Sequence, residues 1–410
     1  MIVDLPKTRT SSVSKKLVQL RNEVGAMTLG RVLTLIIVVD DREAEESIEA
    51  ANEASRQHPC RIVVVVAGNR RGTNRMDAQI RVGGDAGASE VIVLRLFGEL
   101  ANHGQSVVVP LLLADSPVVA WWPHDAPADL RTDPIARMAQ RRITDAAEAR
   151  NPRAMLKRLA EQYQPGDTDI SWTRITLWRG LLAAALDGPP YEPVTDAVVV
   201  GASDSPSSEL LAGWLAHELK ASVRQVKTKP GTGIVSVRME RKSGQIDLVR
   251  PGDNVATLTQ PGQPDRRLSL KRRGLAECLA DELRRLDADE VYAETLTKGL
   301  RLLHPGRLME TQAVRKGEAP STERSRKLAA RLARSDGAAE AAAMVVASPP
   351  PDEGDTAAVK KATARKKDRA PTAREQDLAK RPRRAGKKVM QKAEAESARA
   401  HARASGRASS

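Results

Sequence analysis

Two unbroken apolar runs constrain this chain more than anything else in it. Residues 32–39 read Val-Leu-Thr-Leu-Ile-Ile-Val-Val and residues 61–67 read Arg-Ile-Val-Val-Val-Val-Ala, both of strand length and rich in β-branched side chains. A strand that is apolar at nearly every position must be covered on both faces, which is the situation of a parallel sheet flanked by helices. Residues 41–58 between the runs are amphipathic: acids crowd the first turn, Asp40 or Asp41 stands where a cap belongs, and Ala44, Ile48 and Ala51 share a face. Strand, helix, strand is a βαβ unit, so the sheet is expected to be parallel with helices packed on it. Residues 10–24, with Val13, Leu17 and Leu20 in helical phase, precede it. Two further strands are expected at 79–82 and 91–97, with Gly83-Gly84-Asp85-Ala86-Gly87 turning the chain between them.

The pattern continues with a helix over 107–113 interrupted by Pro110, a strand over 118–122 ending in Trp121-Trp122-Pro123, and helices over 151–163 and 175–186. A boundary is placed near residue 165, at the Gly166-Asp167 break. Beyond it, residues 197–201 form a short buried strand, and Ser205 caps a helix over 207–219 with Pro206 at its first position. Four short strands follow at 234–240, 245–250, 255–260 and 266–270, separated by Gly- and Pro-containing turns, as in an antiparallel meander on a mixed sheet. Leu275, Leu279, Leu283 and Leu286 line a closing helix, and residues 291–302 make another. The expected architecture is two α/β domains with mixed sheets, residues 1–165 and 166–304, followed by a disordered basic tail over 305–410.

Charge separates tail from body. The chain has a formal net charge of +14, and residues 305–410 supply +12 of it through 25 Lys and Arg against 13 Asp and Glu. The body is thus nearly neutral, and the basic balance does not mark it as a nucleic-acid binder. The tail lacks aromatics and is dominated by Ala, Pro, Lys, Arg and Ser, a composition that cannot offset its own ordering entropy. Weak, salt-sensitive attraction to a polyanion is the contact it suggests. No apolar run has the roughly 18 residues of a membrane helix, the N-terminus has no signal-peptide pattern, and the cysteines number only two, so a cytoplasmic protein is expected.

Few residues suggest chemistry. Residues 68–90 carry Arg70, Arg71, Arg75 and Arg81 among five glycines, a combination suited to an anion or an acidic partner. The segment lacks both the P-loop ending and the dinucleotide Gly-x-Gly-x-x-Gly fingerprint. Gly83 and Gly84, together with Ser203 and Ser205 at a strand-to-helix junction, are the candidate anion ligands. Trp121 and Trp122 are adjacent on a strand, so one is expected in the core and the other pointing away, packed beneath the second domain or against a partner. His58-Pro59-Cys60 has no second ligand pair at metal spacing, Cys278 reads as a buried small hydrophobe, and no nucleophile motif is present. No cofactor, metal site or catalytic residue is assigned.

Several segments together are similar to a known family. These are residues 68–96, residues 110–122, Arg141-Arg142-Ile143-Thr144-Asp145-Ala146, Gly201-Ala202-Ser203-Asp204-Ser205-Pro206 and residues 287–292. In that order they resemble the actinobacterial form of the glucose-6-phosphate dehydrogenase assembly protein family, OpcA, over residues 1–302. The resemblance implies a non-catalytic partner that binds glucose-6-phosphate dehydrogenase and assists its assembly or allosteric activation in the oxidative pentose phosphate pathway. It assigns no ligand residues, and the redox control of cyanobacterial relatives is not carried over because Cys60 and Cys278 form no obvious pair. Arg70, Arg71, Arg75, Arg81, Trp121 and Trp122 are then the candidate partner-binding residues. The alternative is a small enzyme on a sugar phosphate or nucleotide, with its phosphate cradle at residues 83–89 or 203–208.

Overall fold

The computed structural model of the chain describes residues 1–23, 32–82, 90–252 and 254–303. The expected tail therefore lies outside the described residues, as do Gly83 and Gly84 with the turn around them. Two sheets organise the rest. The first is built from β1 (Ile2–Leu5), β2 (Leu33–Asp40), β3 (Cys60–Ala67), β4 (Arg75–Arg81), β5 (Glu90–Phe97), β6 (Val118–Trp122), β7 (Arg141–Thr144) and β8 (Asp167–Asp169). Their spatial order is β1-β4-β5-β3-β2-β6-β7-β8. From β5 to β8 every neighbouring pair is parallel, and only β4 runs antiparallel, between β1 and β5.

The helices are α1 (Thr10–Glu23), α2 (Ala44–Ala54), α3 (Gly104–Val108), α4 (Pro134–Met138), α5 (Pro152–Gln162), α6 (Ile170–Thr173), α7 (Thr176–Leu186), α8 (Pro206–Leu219), α9 (Leu275–Arg284) and α10 (Glu290–Glu294). Helix α2 starts later than expected. Its N-cap position is Glu43, without a side-chain capping bond, because Asp40 ends β2 and Asp41 instead accepts a 2.9 Å hydrogen bond from Arg95. Pro110 ends α3 in a short 3-10 turn over Val109–Leu111. Arg21 of α1 donates two 2.8 Å bonds to Glu90, and Arg61 of β3 donates a third of 2.9 Å to the same carboxylate, which is wholly buried at the start of β5.

The second sheet contains β9 (Asp196–Ala202), β10 (Ser222–Thr228), β11 (Ile234–Glu240), β12 (Ile246–Val249), β13 (Val255–Thr259) and β14 (Arg266–Ser269), in the order β10-β9-β11-β12-β13-β14. β9 and β10 are parallel with α8 as their crossover, and β11 to β14 form the expected antiparallel meander. The sequence pattern predicts no element at β10. Its side chains alternate around an exposed edge, and Ser, Arg, Gln, Lys and Thr there resemble a loop.

The two halves interlock. The expected boundary near 165 falls just before β8, which still pairs with β7 in the first sheet. Helix α9, from the far end of the body, packs against α2, so that Cys278, Leu279 and Leu283 share an apolar cluster with Leu35, Ile62 and Cys60. The other large cluster runs continuously from Val63 and Trp122 of the first sheet to Val237 and Leu248 of the second.

This covering decides between the two expectations for the tryptophans in favour of packing beneath the second half and against a partner contact. Trp121 and Trp122 do face opposite sides of the sheet, as the period-2 rule requires, but both sides are roofed. Their exposures are 0% and 2%, so neither ring is available to a partner on the folded surface.

Candidate functional site: a cationic cleft at the end of β9

Strand β9 is where the second sheet changes direction of growth: the chain passes through α8 to β10 on one side and then crosses to β11 on the other. In open α/β sheets such a switch point leaves a crevice outside the carboxyl end of the strand. Here it is a cleft of about 310 Å³, lined by Ala202 at the end of β9, Asp204, Ser205 and Ser207 at the start of α8, and Gly231 and Gly233 in the β10–β11 turn. Ala147 and Glu148 beyond β7 contribute from the first half, and Arg174, Ile175 and Trp178 from around the start of α7. Arg250, Arg272 and Arg273 complete it.

Local sequence explains each wall. Ser205 caps α8, its Oγ accepting from Ser208 N at 3.3 Å, and Pro206 occupies the first helical position. The opening turn of α8 thus faces the cleft with the positive end of its dipole. Gly231 and Gly233 have φ of +78° and +63°, which a side chain would adopt only under strain. They bring backbone close to Arg272, whose guanidinium donates to the carbonyls of Gly231 (3.2 Å) and Thr232 (2.5 Å), while Gly231 N donates to Asp204 at 3.2 Å.

Four arginines therefore line one space with two carboxylates, Glu148 and Asp204. Arg174 is held from behind by Asp145 and lies 3.9 Å from Glu148. Arg273 donates to Glu277, Asp281 and the carbonyl of Thr173. Arg250, 6% exposed, donates to the carbonyls of Ile234 and Leu270 and lies 5.1 Å over the Trp178 ring. Those bonds fix the guanidinium planes in advance, the condition under which arginine recognises an anion at small entropic cost.

Beneath the cleft, burial pushes the Asp145 carboxyl up to about 6, although Arg174 opposes the shift. Asp169, also buried at this end of the sheet, is raised by the same desolvation, with Thr144, Ser171 and Ala146 donating to it. Cys278 lies nearby, its thiol pushed up to about 12 by burial.

Of the anion ligands expected from the sequence, Ser205 lines this cleft, while Ser203 lines a small neighbouring cavity with Ser208 and Lys227. The four arginines of residues 68–90 do not gather into one surface. Arg70 and Arg71 are exposed in the loop after β3. Arg75 lies 4.2 Å over Phe97 and pairs with Asp77 at 3.1 Å, and Arg81 pairs with Glu45 at 2.5 Å. Arg75 and Arg81 also stand at opposite ends of β4, about 20 Å apart at the usual rise per residue.

Sequence pattern alone does not mark Arg174, Arg250, Arg272 or Arg273. The adjacent pair Arg272-Arg273 before the Gly274 that opens α9 is the one local signal. His217 is isolated in sequence, whereas folding brings His217, Glu218 and Glu294 within 4.8 Å of one another. Lys220 and Lys298 reach His217 and Glu294 at 3.4 and 3.3 Å, so ammonium groups already occupy part of that cluster.

Fold and cleft together define a two-sheet α/β protein with a preorganised cationic crevice at a topological switch point. Residues 51–161 match the model for the N-terminal domain of the glucose-6-phosphate dehydrogenase subunit, and residues 165–296 match that for its C-terminal domain. The chain belongs to the OpcA family of glucose-6-phosphate dehydrogenase assembly proteins. A protein of Nostoc punctiforme described as a putative OxPP cycle protein OpcA is 24% identical over 215 residues, which is 49% of this chain and 43% of that protein. The chain thus spans less than half the length of that relative. Two solved structures show weak likeness: an oxidoreductase from Sinorhizobium meliloti (10% identical, 74% of this chain, 97% of that one) and glucose-6-phosphate 1-dehydrogenase from Mycobacterium avium (11% identical, 64% and 90%). Both have a TM-score of 0.34, too low to define a shared fold. Among the described residues no helix is long and apolar enough to cross a membrane.

Proposed function

We propose that this chain is a non-catalytic accessory protein of the cytoplasm that binds glucose-6-phosphate dehydrogenase and promotes its assembly or allosteric activation. The observation that carries the reading is the pair of adjoining family-domain matches, which together cover most of the described chain. A role in the oxidative pentose phosphate cycle accords with the family.

The partner surface proposed is the loop after β3, where Arg70 and Arg71 are exposed on the side of the sheet's carboxyl ends. Exposed guanidiniums in a short loop suit an acidic patch on a partner, and they contribute more to encounter rate and register than to raw affinity.

The test is to assay the dehydrogenase of the same host with and without this protein, over a range of glucose 6-phosphate, and to follow its sedimentation. A raised rate, a shifted substrate dependence or a larger assembly is expected. Unchanged kinetics together with unchanged sedimentation would defeat the reading. The Arg70→Ala/Arg71→Ala double variant is expected to weaken the effect roughly tenfold at 50 mM salt, and less at 200 mM, where the wild-type attraction is itself screened.

A further inference from the structure

We propose that the cleft at the end of β9 is a binding site for the phosphate group of a small organic phosphate whose body carries hydroxyls. The inference needs neither the dehydrogenase nor the accessory role, and it rests on the lining alone.

Several observations converge on it. The volume of about 310 Å³ lies at the lower end of small-molecule sites and exceeds what a lone phosphate ion needs. Arginines reach its lining from three separate segments, the start of α7, the end of β12 and the two residues preceding Gly274, with Arg272 the exposed one. Planar guanidinium forks match phosphate oxygens in pairs, a geometry that a flexible lysine does not offer. The opening turn of α8, a full 14-residue helix, adds its dipole from the switch-point side. The two glycines of the β10–β11 turn let backbone approach where a Cβ at Gly233 would already touch the Arg272 guanidinium at 3.4 Å.

The rest of the lining selects the body of the ligand. Glu148 and Asp204 would repel a second phosphate placed beside them, but they accept hydrogen bonds from hydroxyl groups. Trp178 and Ile175 supply an apolar wall on the side of α7. A cleft whose arginines are interleaved with two acceptor carboxylates fits a phosphorylated polyol better than a free diphosphate or a run of carboxylates.

Binding is measured by calorimetry on the full chain alone, at constant ionic strength, with inorganic phosphate, glucose 6-phosphate, glucose and a glutamate-rich peptide as probes. Saturable binding of the two phosphate-bearing probes is expected, with glucose 6-phosphate at least tenfold tighter than inorganic phosphate and no binding of glucose. Arg272 is exposed, and Arg272→Gln, with circular dichroism to verify folding, is expected to weaken both by tenfold or more. Arg250→Gln serves as the buried counterpart, with circular dichroism to verify folding, and Lys15→Glu, on the exposed face of α1, as a control without effect. Absence of saturable binding by either phosphate probe overturns the proposal, as does affinity unchanged in both cleft variants. Equal affinity for phosphate and glucose 6-phosphate removes the hydroxyl-bearing body. Binding of the peptide in place of the phosphates would make the cleft a protein contact instead.

Discussion

Arg174 grips Asp145 through two parallel hydrogen bonds, Nη1 to Oδ1 at 2.6 Å and Nη2 to Oδ2 at 2.7 Å, with the carboxylate entirely buried below the cleft. Burial raises the Asp145 pKa from 3.8 to about 6 despite the cation. The folded state therefore holds this proton more tightly than the unfolded chain, and between pH 4 and 6 it binds more protons. The contribution is stabilising below the unfolded pKa and is lost as pH rises through 6. Urea unfolding of wild type and Asp145→Asn at pH 4.5 and 7 is expected to show the larger wild-type advantage at pH 4.5. An advantage that grows toward pH 7 would reverse the assignment.

Glu90 accepts from Arg21 and Arg61 at once, and Arg61 is itself only 5% exposed. Removing one partner of a buried ion pair strands the other, at a cost of about 3–5 kcal/mol. Glu90→Ala should lower unfolding free energy by that amount, whereas Asp41→Ala, at the half-exposed Arg95 pair, should cost less than about 1 kcal/mol. Equal costs in denaturant titrations would mean that burial plays no part.

Gly213 of α8 and Gly299 in the π-helical turn Thr295–Gly299 cross at backbone contact. A Cβ on Gly299 would lie 2.4 Å from the Gly213 carbonyl oxygen. Alanine is the better helix former by about 1 kcal/mol, yet Gly299→Ala is expected to destabilise by roughly 1–3 kcal/mol because the helices must separate. Gly188→Ala, where nothing lies within 4 Å, is the control. Differential scanning calorimetry decides, and a Gly299→Ala variant at least as stable as wild type would contradict the crossing.

Cys60 and Cys278 are both 0% exposed, and the Cys278 thiol is pushed up to about 12. Since the thiolate is the nucleophile, neither should react with a disulfide reagent at pH 8 until the protein unfolds. Labelling of native protein within minutes would show that the cluster beneath α9 opens readily.

How far the sequence carried depended on where each signal resides. The apolar runs at β2 and β3 announce their own burial, and Ser205-Pro206 announces the start of α8, because the physics involved is local. β7 and β8 escape a reading by pattern because Arg141, Arg142, Asp167 and Asp169 look like surface residues. They are buried in the fold, with Arg142 bonded to Asp167 and Arg141 to Glu282 at 2.6 Å. Charge compensation between residues far apart is invisible to periodicity. The tryptophan pair is legible only in part: alternation fixes which way each ring points, not whether a second layer or a partner covers it. The cleft was legible at Ser205 and, faintly, in the adjacent pair Arg272-Arg273, since Arg174, Arg250 and Arg272 come from separate elements and share no spacing.

The return of α9 onto α2 has a consequence for how the molecule is made. A ribosome releases the β2-α2-β3 unit early, but the helix that seals its outer face comes more than two hundred residues later. Until then the part of the apolar cluster that Cys278, Leu279 and Leu283 complete beside α2 stays open to water or a chaperone, and the nascent first sheet is sticky. A fragment ending near residue 165 is arrested permanently at that stage. Helix α9 is, in order of synthesis, the lid that the first sheet has been waiting for.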